Sequence, residues 1–254
     1  KIDQAIDHSA KSLQIRPNYV NAHIALGRAL LEAGRIDEAI KCFNTALKFK
    51  PDFDLAYVNL GVAYVRQGKF DQGIIYFAKA LEIEPECAEA HNNIGVELAR
   101  RGNLEEAVKH YKEALRIKPG YPEVYVSLGE VFLREGKFEE AFKCYSTALQ
   151  INPDFTEAHK VQGKVFLLQG KFKEAVEKYK QVLLLKPDNP SAHNDLGVAL
   201  SLHGKSDEAI VHFKEALRLD PNSAPAHYIL ARALTGAGSI DQAVTHLEET
   251  LRIK

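Results

Sequence analysis

The sequence predicts an all-α protein built from stacked helix pairs, and three observations carry that prediction. Prolines recur every 34 residues, at Pro17, Pro51, Pro85, Pro119, Pro153, Pro187 and Pro221. Glycines recur at the same interval, at Gly34, Gly68, Gly102, Gly136, Gly170, Gly204 and Gly238. A second glycine series runs Gly27, Gly61, Gly95, Gly129, Gly163 and Gly197, with Ala231 in the seventh place. Between these marks apolar residues follow helical spacing, two runs to a period. Self-similarity at a fixed period of this length marks a stacked repeat array.

Each period reads as two helices. Residues 21–33 are periodic and stop at Gly34, a residue suited to the left-handed cap that ends a helix. Residues 36–49 are periodic again and stop before Pro51, because proline cannot continue a helix and restricts the residue before it. Pro122, Pro190 and Pro225 stand at the start of a first helix, where proline is tolerated. Helices this short are marginal alone and must bury their apolar stripe against a neighbour. Small residues such as Gly27, Ala39 and Ala46 mark close helix crossings, and Leu30 and Phe43 fill the space between them.

Composition narrows the function classes. The chain has 254 residues, 33 basic and 34 acidic, for a net charge of −1. Nucleic-acid binding needs a surplus of Lys and Arg, so no nucleic-acid partner is expected. No run approaches the roughly 18 apolar residues of a membrane span, so no membrane insertion by this segment is expected. Three cysteines form no disulfide framework and favour a reducing compartment such as the cytoplasm.

The residues His23, Leu26-Gly27, Leu30, Ala39, Phe43, Ala46 and Pro51 resemble the tetratricopeptide repeat (TPR) signature. The pattern recurs as Tyr57, Leu60-Gly61, Tyr64, Phe77, Ala80 and Pro85, and again as Tyr125, Leu128-Gly129, Phe132, Ala141, Tyr145, Ala148 and Pro153. The resemblance covers essentially the whole chain and implies a right-handed superhelical solenoid of antiparallel helix pairs. It divides the chain into a partial repeat at 1–19 holding only a second helix, repeats at 20–53, 54–87, 88–121, 122–155, 156–189 and 190–223, and a seventh at 224–254 without a capping helix. Both ends fall inside the array, so the chain is expected to be a piece of a longer protein. Departures are local. Gly73 stands where a small Ala is usual, at a cost of roughly 1 kcal/mol in helix propensity. Gln162 stands where Leu precedes the glycine, Val182 and Thr250 replace a small Ala, and Ala231 replaces a glycine.

Catalytic and metal-binding constellations are not expected. His23, His91, His159, His193 and His227 share one repeat position, so helix packing sets neighbours about 8–10 Å apart. Zinc ligands lie about 2 Å from one ion, so these read as histidines packed between helices. His8, His110, His212 and His246 share a second-helix position read as outer surface and solvated, and His203 reads as solvated beside its turn. Cys42 and Cys144 lie three periods apart, too far for the roughly 7 Å limit of a disulfide. No phosphate-binding glycine loop or nucleophile set converges, so neither a cofactor nor an enzymatic activity is expected within this segment.

The resemblance places the first helix of each repeat on a concave face. Its peptide-binding candidates are Asn59, Arg66, Asn92, Asn93, Arg100, Arg134, Lys160, Lys164 and Asn194. Arg66, Arg100 and Arg134 form one ladder, and Glu89, Glu123 and Glu157 another at the opposite end of the same helices. Asn side chains bond an extended backbone and Arg holds carboxylates bidentately, which suits a peptide. The alternative is that the two ladders pair with each other as solvated charge. Lys160 and Lys164, one turn apart in a lysine-rich repeat, are candidates to anchor an acidic group. The clamp by which some TPR modules hold chaperone C-termini is broken here, since Lys164 and Asp195 stand where Asn is needed. A continuous Asn ladder like that of the TPR half of O-GlcNAc transferases is also absent.

The expected function is a non-catalytic protein-protein interaction scaffold holding a peptide or protein segment of unknown identity. Two alternatives are a substrate-targeting arm of a larger enzyme such as a glycosyltransferase, and head-to-tail self-association through uncapped ends.

Overall fold

The computed structural model describes residues 2–253. Among these residues fifteen helices follow one another and no strand occurs. They are α1 (Ile2–Ile15), α2 (Val20–Glu32), α3 (Ile36–Phe49), α4 (Asp54–Arg66), α5 (Phe70–Ile83), α6 (Ala88–Arg100), α7 (Leu104–Ile117), α8 (Pro122–Arg134), α9 (Phe138–Ile151), α10 (Thr156–Leu168), α11 (Phe172–Leu185), α12 (Pro190–Leu202), α13 (Ser206–Leu219), α14 (Ala224–Gly236) and α15 (Ile240–Ile253). From α2 onward, 13-residue and 14-residue helices alternate.

Two turns generate the alternation. Gly34 adopts φ +75°, which only glycine reaches without strain, and lets Arg35 N–H donate to Leu30 O at 2.8 Å while Gly34 N–H donates to Leu31 O at 3.1 Å. The helix-ending carbonyls are thus satisfied in two residues and the chain reverses. The second turn is looser. Lys50 N–H makes the last helical bond, to Ala46 O at 2.9 Å, and Pro51 ends the ladder. The second helices start with acidic residues, Asp37 and Glu38 in α3 and Glu105 and Glu106 in α7, where the helix dipole favours negative charge.

The helices form two compact units, residues 1–124 and 125–254. In the first, α2 packs on α3, α4 on α5 and α6 on α7, with α1 against α2. Its core includes Ile24, Leu30, Phe43 and Leu60, continued by Phe77, Ala90 and Ile94. In the second, α10 packs on α11, α12 on α13 and α14 on α15. Tyr145, Val161 and Val165 form one core cluster there, and Tyr179, Leu196, Phe213 and Leu230 another. Each fully buried aromatic or leucine contributes roughly 1.5–3 kcal/mol of transfer free energy.

Within a pair the two helices touch through an aromatic ring laid on a glycine. A Cβ on Gly27 would stand 2.3 Å from Phe43 Cε1, and one on Gly61 would stand 2.3 Å from Phe77 Cε1. Gly73, expected only to cost helix propensity, is held by packing: a Cβ there would lie 2.5 Å from Val65 Cγ2 and 3.1 Å from the Gly61 carbonyl.

Candidate functional site

In unit 1 the first helices α2, α4 and α6 share one groove with α1. Its volume is about 820 Å³, and Ala25, Arg28, Leu55, Val58, Val62 and Tyr121 line it together with Asn59, Arg66, Glu89 and Asn93. The lining is largely aliphatic, with Arg28, Asn59, Arg66, Glu89 and Asn93 as its polar members. The candidates Asn59, Arg66 and Asn93 therefore share one depression.

These residues are partly committed inside the chain. Asn59 is buried and its Nδ2 donates to Leu55 O at 2.7 Å on its own helix. Arg66 donates through Nη1 to Leu31 O at 2.8 Å and through Nη2 to Glu32 Oε1 at 3.0 Å. It thereby closes the C-terminal end of α2, one repeat earlier. Arg100 is held differently. Its guanidinium bonds Glu97 Oε2 at 2.8 Å and lies 3.2 Å from the centre of the Phe70 ring. Glu97 is almost fully buried, so this pair is satisfied locally. The arginine ladder is thus chemically uneven. Glu89 pairs with Lys118 at 3.6 Å, so the acidic ladder does not meet the arginines at that rung. Asn92 is half-buried and its Oδ1 is buried with no partner, as is Oδ1 of Asn194, three repeats later in unit 2.

In unit 2 a smaller cavity of about 330 Å³ opens between α8 and α10, lined by Glu130, Leu133, Arg134, Val161, Lys164 and Leu168. Lys160 is half-buried and Lys164 exposed, and both act electrostatically on Glu130 of α8 and Asp195 of α12. Desolvation lifts the Glu130 carboxyl above its ordinary range although its surface still meets solvent, with Arg134, Lys164 and Lys160 pulling it back. Asp195 is lifted for the same reason and opposed mainly by Lys160. The lysines therefore face internal carboxylates, a pairing that the sequence reading did not include.

The histidines correct that reading. His110, His212 and His246 are not solvated surface residues. Each is half-buried, with Nδ1 hydrogen-bonded to Nδ1 of a first-helix histidine 19 residues earlier. His91–His110 spans 3.0 Å, His193–His212 3.0 Å and His227–His246 2.9 Å. Helical spacing within one segment cannot show a partner on the next helix, but the constant offset of 19 could have been found by comparing the two histidine series. Burial lowers the affinity of His110, His212 and His246 for protons, and the partner ring adds to it. His8 and His203 are exposed, as expected. Among the described residues no group of three or more His, Cys, Asp or Glu side chains could hold a metal ion, and no helix is long and apolar enough to cross a membrane.

A family profile described as TPR repeat matches residues 27–68 and 163–204. Two described as Tetratricopeptide repeat match residues 58–122, and residues 98–165 with 200–254. Comparison with the curated proteins gives no significant sequence match. Among solved structures, a chain of the APC/C hetero-tetramer Cut9-Hcn1 is 21% identical with a TM-score of 0.81, over 100% of this chain and 50% of that one. PilF of Pseudomonas aeruginosa is 22% identical with a TM-score of 0.71, over 84% of this chain and 97% of that one. MamA of Desulfovibrio magneticus RS-1 is 24% identical with a TM-score of 0.59, over 65% and 94%. This chain thus spans half the length of the Cut9-Hcn1 chain that it matches, and these likenesses establish the fold. With matching profiles running from residue 27 to the end of the sequence, the chain belongs to the tetratricopeptide repeat family, whose repeats are in general non-catalytic modules of protein-interaction scaffolds.

Proposed function

We propose that this segment is a non-catalytic scaffold that binds a peptide or protein segment along the inner surface of its first helices. The observation that carries the reading is the unit-1 groove of about 820 Å³, lined by aliphatic side chains with amide and charged groups among them. Aliphatic pockets reward apolar side chains of a ligand, while amides and charges fix its direction. Asn93, Arg66 and Arg28 are the groups for ligand carbonyls and carboxylates there. In unit 2, Lys160, Lys164 and Arg134 anchor an acidic group, with Glu130 and Asp195 tuning the local charge. Asn59 and Arg100 serve mainly to hold the inner surface in shape, whereas Asn92 and Asn194 each keep a buried Oδ1 that no group of the chain satisfies. The repeats supplying these residues are divided at 20–53 and every 34 residues thereafter.

The test is affinity capture from the source organism's lysate with three matched chains. One is unmodified, one carries Arg28→Glu and Leu55→Arg, and one carries Lys160→Glu and Lys164→Glu. All three must show equal helicity. A partner retained by the unmodified chain and lost by the first variant supports the groove. Loss with the second variant, and a steeper salt dependence in the unmodified chain, supports the lysine anchor. Equal retention by all three overturns the assignment of the site.

A further inference from the structure

Three of the helix pairs are tied by the same device. His91 of α6 meets His110 of α7, His193 of α12 meets His212 of α13, and His227 of α14 meets His246 of α15. In each the two Nδ1 atoms are 2.9–3.0 Å apart while the ring centres are 5.1–5.3 Å apart. Both nitrogens therefore lie close to the line joining the ring centres, and the rings meet head-on. A metal on that line would need two bonds of about 2.0–2.1 Å, a separation near 4 Å. Only a hydrogen fits.

The protons can be assigned in two of the pairs. His193 Nε2 lies 3.0 Å from Pro187 O, and His227 Nε2 lies 3.1 Å from Pro221 O. A carbonyl only accepts, so Nε2 of each first-helix ring carries the hydrogen. In the neutral ring Nδ1 is then a lone pair. The second-helix ring must donate its own Nδ1–H into it. His212 and His246 consequently keep one lone pair, on Nε2, and that is where the first added proton goes. It leaves the Nδ1–H···Nδ1 bond intact. A second proton has only the first-helix Nδ1 left to take. It removes the acceptor and sets two imidazolium rings against each other, so the bond breaks.

We propose that these three histidine pairs are acid-operated latches that hold first and second helices together near neutral pH and release them as each pair takes its second proton. Charged neighbours set the threshold of each latch. His110 faces His91 and Glu106. His212 faces His193 across α12, Lys180 of α11, and Glu208 and Glu215 on its own helix. His246 faces His227 of α14, Lys214 of α13 and Glu249. Solvent reaches the second latch through an open cavity of about 870 Å³ lined by His193, His212, Lys180 and Glu215. Burial and the partner ring lower the proton affinity of His110, His212 and His246. The unfolded chain, with ordinary histidines, therefore binds more protons than the folded one below about pH 6.5, and stability falls as pH falls through that range.

The chain supplies its own non-titrating counterpart. At the same two positions one repeat carries Tyr57 and Tyr76, stacked with ring centres 6.3 Å apart. A variant with all six paired histidines changed to Tyr copies this arrangement. Thermal unfolding of both chains is followed by circular dichroism at about pH 7.5 and about pH 5. The unmodified chain should lose about 2–4 °C of Tm per opened latch beyond the loss in the variant. An equal loss in both overturns the proposal. Nitrogen-15 NMR of the unmodified chain gives a second reading that survives failure of the variant to fold. His193 and His227 should show the Nε2–H tautomer at neutral pH, and each of the two pairs should take up its two protons in two coupled steps. Six independent titrations at the ordinary histidine value overturn it.

Discussion

Phe43 lies on Gly27 so closely that a single added methyl on the glycine would sit 2.3 Å from the ring. The same relation joins Gly95 to Tyr111 and Gly197 to Phe213. The seventh repeat breaks it on both sides at once, with Ala231 in the glycine position and Leu247 in the ring position.

Gly27→Ala is therefore expected to destabilise the chain by about 1–3 kcal/mol through overpacking, although alanine is the better helix former. Combined with Phe43→Leu, it should cost less than the two single changes summed, with a coupling of about 0.5–3 kcal/mol. Urea unfolding of the four-chain cycle checks this. Strict additivity would show that the contact is not what selects glycine.

Gln162 is a second local test. Its Nε2 donates to Ser146 Oγ at 3.0 Å, but its Oε1 is buried with no partner. An unsatisfied buried acceptor costs about 1–3 kcal/mol. Gln162→Leu should raise stability by about 1 kcal/mol, read as a higher urea midpoint at unchanged slope. A lower midpoint would mean that the Ser146 bond outweighs the orphaned oxygen.

His159 shows what a histidine pair lacks when half of it is missing. Its Nε2 bonds Pro153 O at 2.9 Å, as His193 and His227 bond Pro187 O and Pro221 O, but its Nδ1 is buried without a partner, and Lys178 stands 19 residues on. Burial lowers the Lys178 ammonium below its ordinary value. Lys178→His should complete a fourth pair and stabilise the chain by about 0.5–1.5 kcal/mol near neutral pH, a gain that acid removes. Equal stability of the two chains at both pH values would contradict the pairing.

Asn189 caps α12 with its side chain, Oδ1 accepting from Ala192 N–H at 3.1 Å. Asn189→Ala should cost about 1 kcal/mol. At the starts of α2, α4, α10 and α14 the corresponding residues Tyr19, Phe53, Phe155 and Ser223 make no such side-chain bond.

The spacing of proline and glycine made the fold legible, because each residue type enforces one backbone event: Pro51 stops a ladder and Gly34 supplies a positive φ. Ala231 was readable as a departure, but not its companion Leu247, since the sequence does not say which ring faces which glycine. Side-chain commitments were less legible still. Arg66 reads as a free rung of a ladder, yet its bonds go to Leu31 O and Glu32, across helices that spacing alone does not bring together. His110, His212 and His246 were misread for the same reason. An outward-looking position on one helix is an inward one when the neighbouring helix carries a matching side chain.

The most direct test of the scaffold reading places a photo-crosslinking amino acid at single sites in the source organism's lysate. Arg28 and Lys164 are exposed positions lining the unit-1 groove and the unit-2 cavity, and Lys112 and Lys143 are exposed positions on second helices. The account predicts that irradiation joins a protein partner to the chain from position 28 or 164 and gives little from 112 or 143. Crosslinks concentrated at 112 and 143, with none from 28 or 164, would contradict it and move the binding surface to the second helices.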